Sequence, residues 1–329
     1  RGGHPTAGHP YLSPEWHEWS LEKEARMQDV IAGYFIVGVV SLGGFFATRV
    51  WTKDWSVFAL NQFAVVVVAI VGLYTAFVWE SLFLTELLPF SNLIILSNIY
   101  PLAALVLAAI ASNRLRDQGW RRVIPMSGLL GAGVWSLIYP VMGHPPDCQV
   151  NWDSQGICYQ TTDQTCTAAC AATLLNYYDI STTEEEMAEL CLTRQGTSWK
   201  GFFRGLKLKT KDTPYQVRME YLTADQLAAS RRPVVLRVGK RAWLGTGNAA
   251  GLPEGWKVGE IHSVVCLGQI QDYYVIADPN PDIGIEFWSE EELLKVWDGH
   301  SARLEQSFEG PPFKHTRSGL ENIRALASR

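Results

Sequence analysis

Charge is nearly absent from the middle of this sequence. From about Val30 to Met142 the 329-residue chain carries almost no acid or base apart from short interruptions at 49–54, 80–86 and 114–122, while the polar flanks hold nearly all of it. Soluble helices need a polar face, so four uncharged runs in succession exclude an ordinary globular core there. Positive charge is not in excess either: the net charge is −5, which excludes nucleic acid as the main partner, because phosphate binding needs a basic surface. Cysteine is missing from the apolar part, all six falling later, at 148, 158, 166, 170, 191 and 266. No Gly-rich loop ending in Lys-Ser or Lys-Thr is present, which excludes an ATPase of that type. The first residue is Arg and not Met, so the chain reads as processed, trimmed or partial.

What is there begins with a polar arm over residues 1–28, rich in Gly, Pro and His, with Gly-His-Pro at 3–5 and again at 8–10. No Cys or carboxylate stands at ligand spacing from those histidines, so the arm reads as flexible and not as a metal site. Ser20-Leu-Glu-Lys-Glu starts a short helix leading into the apolar region. Residues 29–143 form an all-α transmembrane region of four helices, at about 30–50, 55–79, 88–112 and 123–142. Each has the roughly 20 residues that cross a ~30 Å hydrocarbon core, which makes the lipid bilayer a partner. Glycines 38, 43, 44, 128, 131 and 133 would let helices approach closely, and Trp51, Trp55, Trp79 and Trp120 mark segment ends. Arg49, Lys53, Arg114, Arg116, Arg121 and Arg122 crowd the first and third turns, whereas 80–88 and 143–160 have no Lys or Arg. The positive-inside rule then sets those turns in the cytoplasm and both chain ends outside it, with Lys23 and Arg26 opposing.

Residues 146–329 make up a second, soluble part. On the extracytoplasmic side disulfides are permitted, and Cys148 and Cys158, nine residues apart in a polar loop, are expected to close as a small ring. Helices follow from Cys166, from the Ser181-Thr-Thr-Glu-Glu-Glu start to Leu192, and near 199–208. Apolar β-rich runs come next at 216–221, 234–238, 262–267 and 273–277, and one more helix at 289–297. Helices first and strands later imply an α+β fold.

Gln160 lies six residues ahead of Cys166, which opens a helix behind Thr165 as N-cap. The unpaired amides and dipole of a first helical turn favour thiolate, supplying a nucleophile, and an upstream glutamine can add a second donor for an oxyanion. A nucleophilic cysteine needs a base held by a third polar group. If the runs at 262–267 and 273–277 pair as a hairpin, His262 and Asp278 meet at one end of it.

With Gln-x5-Cys at 160–166, TTEEEMAELC, GTSWKGFFRGLKL, IHSVVCLG and VIADPNP in that order, residues 159–297 resemble the bacteriocin-processing, double-glycine-leader family of papain-like cysteine peptidases. The resemblance implies a papain-like α+β fold with Cys166 as nucleophile, His262 as general base, Asp278 as orienting residue and Gln160 as oxyanion-hole side chain. It implies a peptide or protein substrate and no metal or organic cofactor. The family usually has Gly after the cysteine, where this chain has Thr167. Relatives that process leaders are often fused to an ATPase, whereas here the membrane part comes first. The expected function is a membrane-anchored cysteine peptidase; the alternative is a non-catalytic peptide-binding module of the same fold serving a partner in the membrane.

Overall fold

The computed structural model describes residues 14–239 and 261–307. Helix α1 runs from Pro14 to Trp51. Proline suits the first helical position, and the following Glu, Lys, Ala, Arg and Met residues are strong helix formers. The expected arm is therefore helical from Pro14 onward, and its first 13 residues lie outside the described residues. Helix α2 (Val57–Leu73) starts at Ser56, whose hydroxyl accepts from the Ala59 amide, and continues as a π-helical turn to Val78. Two short helices, α3 (Phe83–Leu87) and α4 (Leu93–Leu96), precede α5 (Tyr100–Arg114); a 3-10 stretch at Arg116–Arg122 leads into α6 (Val123–Ile138). Asn98 breaks α4 from α5: its Oδ1 accepts from the Tyr100 amide at 3.1 Å, and its Nδ2 donates to Ser136 O at 2.7 Å. Pro101 then opens the new helix.

Among the described residues, four stretches are long and apolar enough to cross a membrane: Met27–Trp51, Val57–Val78, Leu93–Arg114 and Arg116–Val141. Not every glycine in them serves packing. A Cβ on Gly44 would come within 2.6 Å of Leu102, and one on Gly133 within 3.3 Å of Ala104, so these two permit close helix contact. Gly38, Gly43, Gly128 and Gly131 face open space.

The C-terminal part is α+β. Helices α7 (Cys166–Tyr177), α8 (Glu184–Leu190) and α9 (Trp199–Lys209) come first. Then follow β1 (Tyr215–Tyr221), α10 (Ala224–Ala228), β2 (Val234–Val238), β3 (His262–Ile270), β4 (Tyr273–Ala277), β5 (Ile285–Ser289), α11 (Glu290–Val296) and β6 (Trp297–Gln306). The strands form one antiparallel sheet in the order β1-β6-β2-β3-β4-β5. Its two faces are both covered. Ala168, Ala172, Leu175 and Phe202 pack with Val265 and Ala277 on one side, and Leu227 and Leu293 with Val264 and Tyr274 on the other.

The two parts are joined by more than the chain. Leu82, Leu84 and Leu93, between α2 and α5, belong to the same apolar core as α7. Asp29 near the start of the first span takes two hydrogen bonds from Arg204 on α9, Nε to Oδ2 at 2.9 Å and Nη2 to Oδ1 at 2.7 Å. Lys200 donates to Ser97 Oγ at 2.8 Å and lies 3.6 Å from the centre of the Trp79 ring.

The disulfide expected between Cys148 and Cys158 does not form; among the described residues all six cysteines are free thiols. The loop is held without it. Asp153 Oδ1 accepts from the amides of Gln155 and Ile157, Trp152 bridges Cys158, and Thr173 Oγ1 accepts from the Cys158 amide. Burial, with the nearby Glu184 carboxylate, pushes both thiols up to about 12. Thiols so protonated at neutral pH provide little thiolate for oxidation.

Candidate active site

Cys166 is the first residue of α7, and Thr165 stands at the N-cap position as the sequence indicates. The cap itself is not made. The Thr165 hydroxyl turns back to donate to Thr162 O at 2.9 Å, which leaves the first amides of α7 without a side-chain cap. Uncapped amides at a helix start are donors for an anion.

His262 is the first residue of β3, and Asp278 directly follows β4. The turn between the strands carries Gln271 at φ 53°, the left-handed conformation of a tight hairpin. A bulge between Cys266 and Gly268 then shifts the register by one residue, with Gly268 at φ 144°. Continued past its last pair, Val265 with Ala277, this pairing sets Asp278 opposite Val264 with His262 on the diagonal. Without the bulge Asp278 would fall in step with Ser263 and Val265, on the opposite face from His262. The two side chains meet: His262 Nε2 lies 2.9 Å from both carboxylate oxygens. Asp278 is fully buried, 0% exposed, and its Oδ1 also accepts from the Asn280 amide at 2.7 Å. With Nε2 taken, Nδ1 is the ring nitrogen left for Cys166, to which His262 is also hydrogen-bonded.

Burial alone would push His262 down. Its hydrogen bonds to Asp278 and Cys166, and the charges of both, overcome that and raise it from 6.5 to about 10. Burial likewise favours the neutral Cys166 thiol, but the hydrogen bond and charge of His262 outweigh it, aided by the Ser263 backbone and the Thr167 hydroxyl. The thiol ends below its ordinary range and the imidazole above its own, each drawn toward its charged form by the other. Thr167 fills the space beside it. Its Oγ1 lies 3.8 Å from Cys166 Sγ and 2.8 Å from Ser263 Oγ, and sequence reasoning gave neither hydroxyl a role. Cys170, one turn further on, donates its thiol to Ser263 O at 3.2 Å, and burial holds it far above the ordinary range.

Gln160 reaches this neighbourhood through its backbone, its amide donating to Pro279 O at 2.7 Å, one residue beyond Asp278. Its Nε2 donates to Thr162 O at 3.1 Å, and its Oε1 is buried without a partner among the described residues. An amide nitrogen has two N–H groups, so one remains beyond the Thr162 bond. Cys166, His262 and Asp278 are thus brought into one hydrogen-bonded chain, with Gln160 alongside it.

Residues 154–236 match the family model described as Peptidase C39 family. That stretch holds Gln160 and Cys166 but ends before His262 and Asp278. No curated protein matches the chain. Among solved structures, the peptidase domain of Streptococcus ComA, a bifunctional ABC transporter involved in quorum sensing, is 19% identical. The match covers 46% of this chain and 99% of that one, at a TM-score of 0.37. The peptidase domain of Streptococcus mutans ComA is 20% identical over 46% and 98% of the two chains, at 0.32. A double glycine motif protease from an AMS/PCAT transporter, solved with its leader peptide, is 16% identical over 50% and 96%, at 0.33. The chain thus holds a stretch, residues 154–236, that is similar to the Peptidase C39 family, set behind four helices long and apolar enough to cross a membrane.

Proposed function

We propose that the chain is a membrane-anchored cysteine peptidase that cleaves peptides or protein tails on the extracytoplasmic side. Cys166 is the nucleophile: its thiolate attacks the scissile carbonyl and forms a tetrahedral oxyanion. The Cys166 amide and the second Nε2 N–H of Gln160 donate to that oxyanion. Collapse breaks the C–N bond as His262 passes its Nδ1 proton to the leaving amine, giving a thioester. Water then attacks the thioester, giving a proton to His262, and the acid product leaves with Cys166 restored. Asp278 holds the ring through Nε2 and stabilises its positive charge throughout.

The observation that carries this reading is the hydrogen-bonded chain from Cys166 through His262 to a fully buried Asp278. A structural histidine at a strand end has no need of a buried carboxylate on one nitrogen and a thiol of lowered pKa on the other. The experiment is a comparison of peptide termini in membrane and secreted fractions from cells carrying the intact chain or Cys166→Ala. The expected result is a set of termini lost in the variant. An unchanged set would leave the peptide-binding module, in which the same fold holds a peptide without cutting it.

A further inference from the structure

The ends of the long helices away from the C-terminal part hold a cleft that the peptidase chemistry does not use. It is about 490 Å³ in volume and lies where the C-terminal ends of α1 and α5 meet the turn leading to α6. Four cations line it, Arg49, Lys53, Arg116 and Arg122, and no carboxylate does. Asp54 and Asp117 stand 3.7 Å from Lys53 and Arg116, but all four side chains are largely exposed there, where such pairs contribute little. Asn113 fixes the cleft's shape, donating from Nδ2 to Arg49 O at 2.9 Å and to Thr52 Oγ1 at 3.0 Å, which ties α5 to α1.

An apolar track leads into the same cleft. Phe46 and Val50 form part of its lining, and Val39 and Leu42 continue the line back along α1, all four more than half exposed. Spacings of three, four and four residues set them on one helical face. From Val39 to Val50 they extend about 16 Å at 1.5 Å per residue, close to one leaflet of a ~30 Å core. A free phosphate would engage the cations and leave the track unused, whereas a phospholipid would engage both.

We infer that this cleft seats one anionic phospholipid, its phosphate among Arg49, Lys53, Arg116 and Arg122 and one acyl chain along Val39, Leu42, Phe46 and Val50. The inference rests on the four helices spanning a bilayer and is independent of cleavage, so Cys166→Ala should bind lipid as the intact chain does. The test is native mass spectrometry of the full chain in neutral detergent, titrated with dioleoyl-phosphatidylglycerol or dioleoyl-phosphatidylcholine. We expect one phosphatidylglycerol to bind at about tenfold lower concentration than phosphatidylcholine, as added charge-assisted contacts supply. Arg49→Gln with Arg122→Gln should abolish that preference. Arg121→Gln, which removes an equal charge outside the cleft, should keep it. Equal binding of the two lipids by the intact chain overturns the inference whatever the variants do. So does an equal loss in Arg121→Gln, which marks diffuse surface charge, or complete displacement by millimolar inorganic phosphate, which marks a free-anion site. A chain that stays monodisperse in buffer without detergent would instead overturn the membrane reading beneath it.

Discussion

Cys166 differs from the other thiols by what surrounds it. Cys148, Cys158 and Cys191 are pushed up to about 12 by burial before any other cause, and Cys170 higher than the ordinary range for the same reason. Only Cys166 among these faces an imidazolium, and its pKa lies below the ordinary 9.0. Iodoacetamide at pH 7 should therefore alkylate Cys166 first, with a rate that stays nearly flat from pH 9 down to its lowered pKa. His262→Ala should reduce the pH 7 rate by about tenfold or more, since each pKa unit is a factor of ten. Label spread evenly over several cysteines would refute the thiolate assignment. The same pair affects stability. A histidine raised from 6.5 to about 10 adds stability that is complete below about 6.5 and lost as pH rises through 10. Thr167 supplies a finer test. Thr167→Val keeps the shape, removes the hydroxyl beside Sγ and leaves Ser263 Oγ without that partner. We expect the alkylation midpoint to move up by about one unit or less, and the chain to lose about 1–3 kcal/mol for a buried unpaired hydroxyl. An unmoved midpoint with lowered stability would make the hydroxyl pair structural only.

At the scale of elements, the helix starting at Cys166, the acidic start of α8 and the β3–β4 hairpin were legible, because each has a local cause: helix formers, a Thr cap, or a polar turn between two β-branched runs. The bulge at Cys266–Gly268 was not, yet it sets His262 and Asp278 on one face; a lone Gly268 in an apolar strand was its only signal. Strand β6, WDGHSARLEQ, has no clean alternation, and its form comes from pairing with β1 on one side and β2 on the other. Such long-range pairing leaves no mark in a local window. The Thr165 cap was misread for a local reason, since Thr162, three residues earlier, competes for its hydroxyl. The packing of α8 on α9 depends on two glycines. A Cβ on Gly201 would lie 2.2 Å from Cys191 O, and one on Gly205 2.3 Å from Cys191 Sγ. Helix propensity favours alanine by about 1 kcal/mol, but overpacking against backbone costs about 1–3 kcal/mol. Gly201→Ala should thus lower the melting temperature of the full chain by several degrees, while Gly128→Ala, which meets open space, should not lower it. Equal behaviour of the two would show that α8 can shift freely.

For the whole molecule, the question is how the C-terminal part is held on the helices and on which side. Arg204 is 1% exposed, and its charge is matched by Asp29, 175 residues earlier in the chain. Asp29→Asn would leave that guanidinium buried without its carboxylate, a change that costs about 3–5 kcal/mol when a buried pair is broken. Limited proteolysis should cut the variant between residues 143 and 160 faster than the intact chain, and Asp29→Glu should behave as the intact chain does. The contacts at Asp29, Trp79 and Ser97 all lie where the C-terminal part meets one end of the helices. Arg49, Lys53, Arg114, Arg116, Arg121 and Arg122 are gathered at the other end. Cations in short loops stay in the cytoplasm, whereas those in a long domain such as residues 146–329 have little say. Six against the two at Lys23 and Arg26 is the ground on which the active-site candidate is proposed to lie outside the cytoplasm. Gln118→Cys, in a chain that also carries Cys166→Ala, places a thiol in the turn before α6. An impermeant maleimide should leave it unlabelled in intact cells and label it once the membrane is opened. Labelling in intact cells would put Cys166, and whatever peptide it acts on, in the cytoplasm instead.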